Sequence, residues 1–192
     1  MSVVKVAETP SGGRQVGDLL RDARTRQDLS VRALAARAGC SPSFISQVEN
    51  GQASPSISSL ERLVHALGMT LADFFRAAAP TTAVVRWHER AALTHAWSHA
   101  QIDALGPTGA GHALEPLMIT LAAGGQSGSQ PYARGGDEFA FVFEGDVLLT
   151  LGEAAHRLAR GDAATFPAEL PHRWENVGRE PARIVVVSAR AR

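Results

Sequence analysis

The chain has 192 residues, 45% apolar and 20% charged, with 19 basic and 19 acidic side chains and no net charge. That composition belongs to a folded globular protein and excludes intrinsic disorder, while the single cysteine, Cys40, excludes an intramolecular disulfide and a multi-cysteine zinc site. No apolar run nears the roughly 18 residues that span a bilayer, and Met1 to Pro10 lacks a basic-then-apolar leader pattern, so a cytoplasmic protein without a membrane partner is expected.

Thr9-Pro10-Ser11-Gly12-Gly13 reads as the end of a flexible tail over 1–13. Five helical segments follow over 14–76, each with apolar residues at helical spacing and a capping residue at its end. Gln15 to Gln27 carries Val16, Leu19, Leu20 and Ala23. Ser30 caps a second helix burying Val31, Leu34, Ala35 and Ala38, and Gly39 stops it. Ser41 caps a third, with Pro42 at the first position where a missing backbone donor costs nothing, apolar Phe44, Ile45 and Val48, and Asn50-Gly51 at its end. The fourth runs from about Ser56 to Leu67, and Thr70 caps a short fifth containing Leu71, Phe74 and Phe75. Cys40 lies in an Ala-Gly-Cys-Ser turn and is not expected to act as a nucleophile.

The pattern changes across a linker at 77–82. From 83 to 192, short strand-like runs replace helical periodicity: Ala83 to Trp87, Leu117 to Leu121, Glu138 to Phe143, Val147 to Leu151, Ala163 to Phe166 and Ile184 to Val187. Gly, Pro and Asp separate them, as in a sandwich or barrel. The chain therefore reads as an α domain followed by an all-β domain. Charge separates the halves only weakly, with 9 basic and 7 acidic residues up to Ala79 and 10 and 12 after it.

Leu29 to Gly51, with two helices joined only by Gly39-Cys40-Ser41, resembles the XRE, or Cro and phage-repressor, family, and the likeness extends over about Gln15 to Phe75. It implies a five-helix, lambda-repressor-like helix-turn-helix domain that binds double-stranded DNA as a homodimer on a palindromic operator. Helix three has a core face and a face of small polar side chains that lets its backbone sit deep in the major groove. The resemblance puts base reading at Pro42, Ser43 and Gln47. Arg32, Ser41, Ser46 and Asn50 are expected at phosphates, where they fix register. It also implies a structural ion pair between Arg24 and Glu49.

Glu138 to Gly145 and Gly161 to Asn176 resemble the two cupin motifs, with Glu-x6-Gly and Gly-x5-Pro-x4-His-x3-Asn spacings, over about Pro116 to Ser188. A cupin barrel, a double-stranded β-helix of the jelly-roll kind, is implied. Metal-binding cupins present a mixed His and carboxylate set, but here Tyr132, Arg134, Glu138 and His172 stand at the aligned positions. Arg134 places a permanent positive charge where the cation would sit, so no metal or cofactor is expected; the alternative is a displaced site using Glu138, His172 and a histidine such as His112. The expected function is effector sensing, with Tyr132 and Arg134 holding an anionic or zwitterionic small molecule. Glu138, His172, Trp174 and Asn176 supply further polar contacts. A non-heme metal enzyme of the epoxidase type, which resembles the same layout, is the alternative. Phe139, Phe141 and Phe143 share the opposite strand face, as sheet packing or a dimer seam.

Overall fold

The computed structural model describes residues 16–74, 83–89, 100–106 and 112–189. The expected tail, Arg14, Gln15, Phe75, Arg76 and the linker at 77–82 lie outside the described residues. Among the described residues four helices build the first half: α1 (Val16–Thr25), α2 (Val31–Ala38), α3 (Pro42–Glu49) and α4 (Ile57–Ala66). Ser30, Ser41 and Ser56 cap the last three of these by accepting the N–H of Ala33, Phe44 and Ser59. Gly39, at φ 62°, ends α2 in the left-handed conformation that glycine adopts at little cost.

The expected fifth helix is a single turn, Leu71–Phe74. Thr70 and Asp73 hold it reciprocally, the Thr70 hydroxyl accepting from the Asp73 N–H at 3.0 Å and the Asp73 carboxylate from the Thr70 N–H at 3.3 Å. A four-residue segment completes scarcely one backbone hydrogen bond of its own, so the cap does most of the holding.

The described residues of the second half contain eight strands: β1 (Ala100–Ala104), β2 (Leu114–Leu121), β3 (Asp137–Glu144), β4 (Asp146–Leu151), β5 (Ala154–Ala159), β6 (Ala163–Pro167), β7 (His172–Asn176) and β8 (Ala182–Ala189). They make a two-sheet antiparallel sandwich of the cupin kind, ordered β1-β2-β8-β3-β6 and β5-β4-β7. Alternation sets the faces: Glu138, Ala140 and Val142 of β3 point inward, and Phe139 and Phe143 are exposed. Gly145, between β3 and β4 at φ 85°, cannot be replaced freely because a Cβ there would lie 2.8 Å from the Cα of Ala182.

Ala83 to Trp87 is not a strand. Val84 and Trp87 are exposed, and Trp87–Glu89 forms a 3-10 turn with the Arg183 guanidinium 5.6 Å over the Trp87 ring. Apolar content suggested a strand there, but among the described residues the run belongs to neither sheet. β1, β5 and β7 were not among the expected strands; β5 is almost wholly exposed, so it has no apolar alternation to reveal it.

Candidate functional site

Ser30, Gly39 and Ser41 fix the turn between α2 and α3, and the core does the rest. Ile45 and Val48 of α3 are fully buried together with Leu34 and Ala35 of α2. The opposite face is left to solvent: Arg32, Ser41, Pro42, Ser43, Ser46, Gln47 and Asn50 are all exposed. Ser41 spends its hydroxyl on the Phe44 N–H at 3.1 Å. Asn50 is engaged as well, its carbonyl accepting from Arg21 at 2.7 Å and its amide reaching the Ser46 hydroxyl at 3.5 Å. Arg21, which sequence reasoning passed over, thereby sits with its guanidinium at the C-terminal end of α3.

Behind this face, Arg24 pairs in two-pronged fashion with Glu49, at 2.7 and 2.8 Å, and donates to the Leu29 carbonyl at 2.7 Å. That hydrogen bonding raises the Arg24 pKa further above its ordinary value. The implied Arg24 and Glu49 pair is present.

In the sandwich, Tyr132 exchanges backbone hydrogen bonds with His172, which brings the start of β7 beside the segment leading into β3. The Tyr132 and Phe166 rings lie 4.3 and 5.1 Å from the His172 ring. His172 donates from Nδ1 to the Leu170 carbonyl at 2.9 Å, leaving Nε2 as the bare nitrogen, 3.8 Å from Glu138. Burial lowers the His172 pKa, so the ring is neutral near pH 7. Arg134 donates to both Glu138 and Ser188. Burial pulls its pKa down, but Glu61 and Glu138 hold it above its ordinary value.

Tyr132, Arg134 and Glu138 therefore meet around one cavity, with His172 packed behind them. Trp174 and Asn176 do not join them. Trp174 is fully buried away from the cavity. The Asn176 amide donates to the carbonyls of Leu121, Ala122 and Glu180 at 2.8 to 3.0 Å, and its carbonyl accepts from Gly178 at 2.8 Å. The Asn176 amide hydrogens are thus spent on the end of β2 and the neighbouring turns, and its carbonyl on Gly178, so Asn176 braces the sandwich away from the cavity.

The donor set does not suit a metal ion. Arg134, a permanent cation, bonds Glu138, the carboxylate nearest His172, His112 is exposed elsewhere, and among the described residues no three His, Cys, Asp or Glu side chains are grouped to hold a metal ion.

Sequence reasoning also missed the contribution of α4. The Ser58 N–H, in its first turn, donates to the Ser127 carbonyl at 2.9 Å, and Ser127 is itself bonded to the backbone of Trp174 at 2.8 and 3.0 Å. Thr70 donates to Glu115 at 2.9 Å. Through these contacts Ile57, Glu61 and Leu71 cover the sandwich cavity from the helical side. The inner space beneath them is about 10 Å³, room for a single water-sized group. An outer cleft of about 260 Å³ shares Glu61, Glu115, Arg134 and Ser188 with it. Only a charged residue on an otherwise apolar helix face hinted at Glu61, and such residues are usually solvated.

Burial raises the pKa of the partly buried Glu61 to about 7, with Glu138 and Glu115 adding to the rise and Arg134 opposing it. The folded chain therefore keeps a proton that the unfolded chain releases above the ordinary value of 4.5. Stability contributed by this group falls as pH climbs through that window and levels off above it. From about pH 5 to about pH 8, wild-type stability should drop relative to Glu61→Gln by on the order of 1–2 kcal/mol in urea titrations. Parallel curves for the two proteins would show that Glu61 is solvated.

Comparison with known proteins gives two domain matches: residues 15–74 fit the family model of a helix-turn-helix domain, and residues 117–188 fit that of a cupin domain. Over 174 residues the chain is 25% identical to the HTH-type transcriptional regulator PuuR of Escherichia coli (strain K12), covering 90% of this chain and 94% of that protein. The HTH-type transcriptional regulator SutR of the same organism is 24% identical over 167 residues, covering 87% and 90%. Among solved structures, an HTH_3 family transcriptional regulator from Vibrio cholerae superposes with a TM-score of 0.71 at 26% identity, covering 93% of this chain and 96% of that one. Among the described residues no helix is long and apolar enough to cross a membrane.

Proposed function

We propose that this chain, an XRE-type helix-turn-helix transcriptional regulator with a C-terminal cupin domain, reads its operator with the exposed face of α3 and adjusts that reading when a small molecule enters the cupin cavity. The carrying observation is the outward row of short polar side chains on α3, set on a fully buried Ile45 and Val48. Two relatives that it matches over nearly the whole chain are named HTH-type transcriptional regulators. In this reading Pro42, Ser43 and Gln47 meet base edges. Arg32, Ser46 and Arg21 reach phosphates, and Asn50 positions Arg21. A homodimer on a palindromic site supplies the second half-site contact that one short helix lacks.

The cupin cavity is the sensor, with Tyr132, Arg134 and Glu138 as its polar lining. A purely anionic effector fits it poorly, because Arg134 already bonds Glu138 and Ser188. A ligand that carries positive charge, alone or in a zwitterion, agrees better with the carboxylates around it.

DNA fragments selected from a genomic library by the full chain provide the test. At fixed salt, Gln47→Ala should weaken binding to the selected site by 10- to 100-fold and leave binding to random duplex nearly unchanged, from the roughly 1–3 kcal/mol that one bidentate base contact contributes. Arg32→Ala should weaken both and reduce the slope of log affinity against log salt by about 1. A Gln47→Ala protein that selects the same sites with the same affinity would remove α3 as the reader.

A further inference from the structure

A helix leaves the amides of its first turn without partners of its own, and the acceptor each one finds shows what that turn is fastened to. In α4 the Ser59 amide is taken by the N-cap, donating to the Ser56 hydroxyl at 3.2 Å. The Ser58 amide goes outside the helical half, to the Ser127 carbonyl at 2.9 Å. Ser127 lies on a strap, Gly125 to Tyr132, that is pinned to β7 at both ends. The Asn176 amide donates to the Gly125 carbonyl at 2.9 Å, and Tyr132 and His172 exchange backbone bonds at 3.0 and 2.8 Å. The Ser127 amide donates to the Trp174 carbonyl at 2.8 Å, and its hydroxyl accepts from the Trp174 amide at 3.0 Å. Between the pins Gly128 lies against α4, where a Cβ would fall 1.7 Å from the Ser58 hydroxyl oxygen and 3.3 Å from that of Ser56. Ser58 and Ser127 are both buried, so water cannot replace their bond without a cost. On its other side the capped turn is close to the reading helix. The Gln47 carbonyl accepts from the amides of Gln52 and Ala53, at 2.8 and 3.1 Å. Only Ser54 and Pro55 separate Ala53 from Ser56, and the proline stiffens that link by fixing its own φ and restricting the residue before it.

We propose that Ser127 is a positioning residue for DNA reading: its carbonyl completes the cap of α4 from the sandwich, and through the Ser54-Pro55 link it sets how the Gln47 end of α3 is presented. Tyr132, at the far end of the strap, lines the cupin cavity. The strap therefore ties the cavity wall to the reader by backbone hydrogen bonds, which no side-chain rotation can bypass. This inference rests on the reading of DNA by α3 and adds the part of the sandwich on which that reading depends.

Amide exchange in the full chain, free and saturated with the selected DNA site, tests the link, because coupling between two sites is reciprocal. The bound site slows exchange at Ser58, Ser127 and Tyr132 by about tenfold or more, within the ordinary range of such coupling. Random duplex at equal occupancy does not, and exchange at Ile184, inside the five-stranded sheet, stays the same with either. Gly128→Ala, which drives Ser58 off the strap, lowers affinity for the selected site by about tenfold or more and leaves affinity for random duplex nearly unchanged. Exchange at Leu63 and Val64 shows that α4 remains folded in that variant. Adding Ser58→Gly to Gly128→Ala restores the discrimination. A seam with a merely structural role lowers both affinities together or neither. Unchanged exchange at Ser127 and Tyr132 on binding of the selected site overturns the proposal, and so does full discrimination by a Gly128→Ala chain whose Ser58 amide exchanges freely. A wild-type chain that prefers no duplex is a different result: it ends the reading by α3, and this inference falls with it.

Discussion

Arg24→Ala lowers the unfolding free energy of the helical half by about 3 kcal/mol, the low end of what breaking one side of a buried ion pair costs. The Glu49 side chain is 4% exposed, and both of its oxygens are held by Arg24, whose own side chain is 12% exposed. Removing the guanidinium leaves a carboxylate with little water to replace it. Arg21 softens the loss, since its Nε lies 3.4 Å from Glu49, but it is 46% exposed and weakly placed. The backbone of Glu49 is also held close against α1, a Cβ on Gly17 coming within 2.3 Å of the Val48 carbonyl oxygen and 3.1 Å of that of Glu49. An unpaired charge there cannot be relieved by a small shift of either helix. Chemical denaturation measures the effect. The double variant Arg24→Met with Glu49→Leu should recover most of the stability, because an apolar pair leaves nothing unsatisfied. A loss under about 1 kcal/mol for Arg24→Ala would mean that water already reaches Glu49.

Gly128→Ala opens the seam between the halves. A Cβ at this position falls 1.7 Å from the Ser58 hydroxyl oxygen and 2.6 Å from its Cβ, and Ser58 is itself buried. Rotating the hydroxyl away does not clear the second contact, so one backbone has to move. The Ser58 to Ser127 hydrogen bond is the first thing lost. Overpacking of this kind costs about 1–3 kcal/mol. Calorimetric unfolding should show it as a separation of one transition into two, the helical half melting earlier. Adding Ser58→Gly to Gly128→Ala removes the clash and should bring the transitions back together. Coincident melting in the single variant would show that the halves unfold independently of this contact.

The helical half was legible because its signals are local. Ser30, Ser41 and Ser56 announce helix starts within three residues, Gly39 announces an end, and the apolar spacing of Leu34, Ile45 and Val48 names the buried faces. The segment after Thr70 has a cap but too few residues to extend into a helix, and spacing alone could not reveal that. Among the strands, β3 and β8 were legible as short apolar runs, Phe139 to Phe143 and Ile184 to Val187, while β5 is exposed on both faces and β1 is short, so neither carries a usable period.

The candidate site divides in the same way. Tyr132, Arg134 and Glu138 come together because they stand on and beside one strand, where motif spacing fixes geometry. Asn176 shares its strand face with His172 and still serves the turns, since the identity of its partners depends on carbonyls 54 and 55 residues away in the chain. Glu61 was invisible for the same reason. Its neighbours Arg134 and Glu138 come from another domain, and no periodicity within α4 encodes them.

The two faces of α4 bind it to different masters. Leu60, Leu63 and Val64 are sealed into the core that also holds α2 and α3, while Ile57, Ser58 and Glu61 meet the sandwich. A chimaera that grafts this sandwich onto another helical domain by cutting after Phe74 would therefore strip the cavity of its helical rim, Ile57, Glu61 and Leu71. To keep that cavity closed, Ile57 and Glu61 have to be rebuilt on the corresponding helix of the foreign domain.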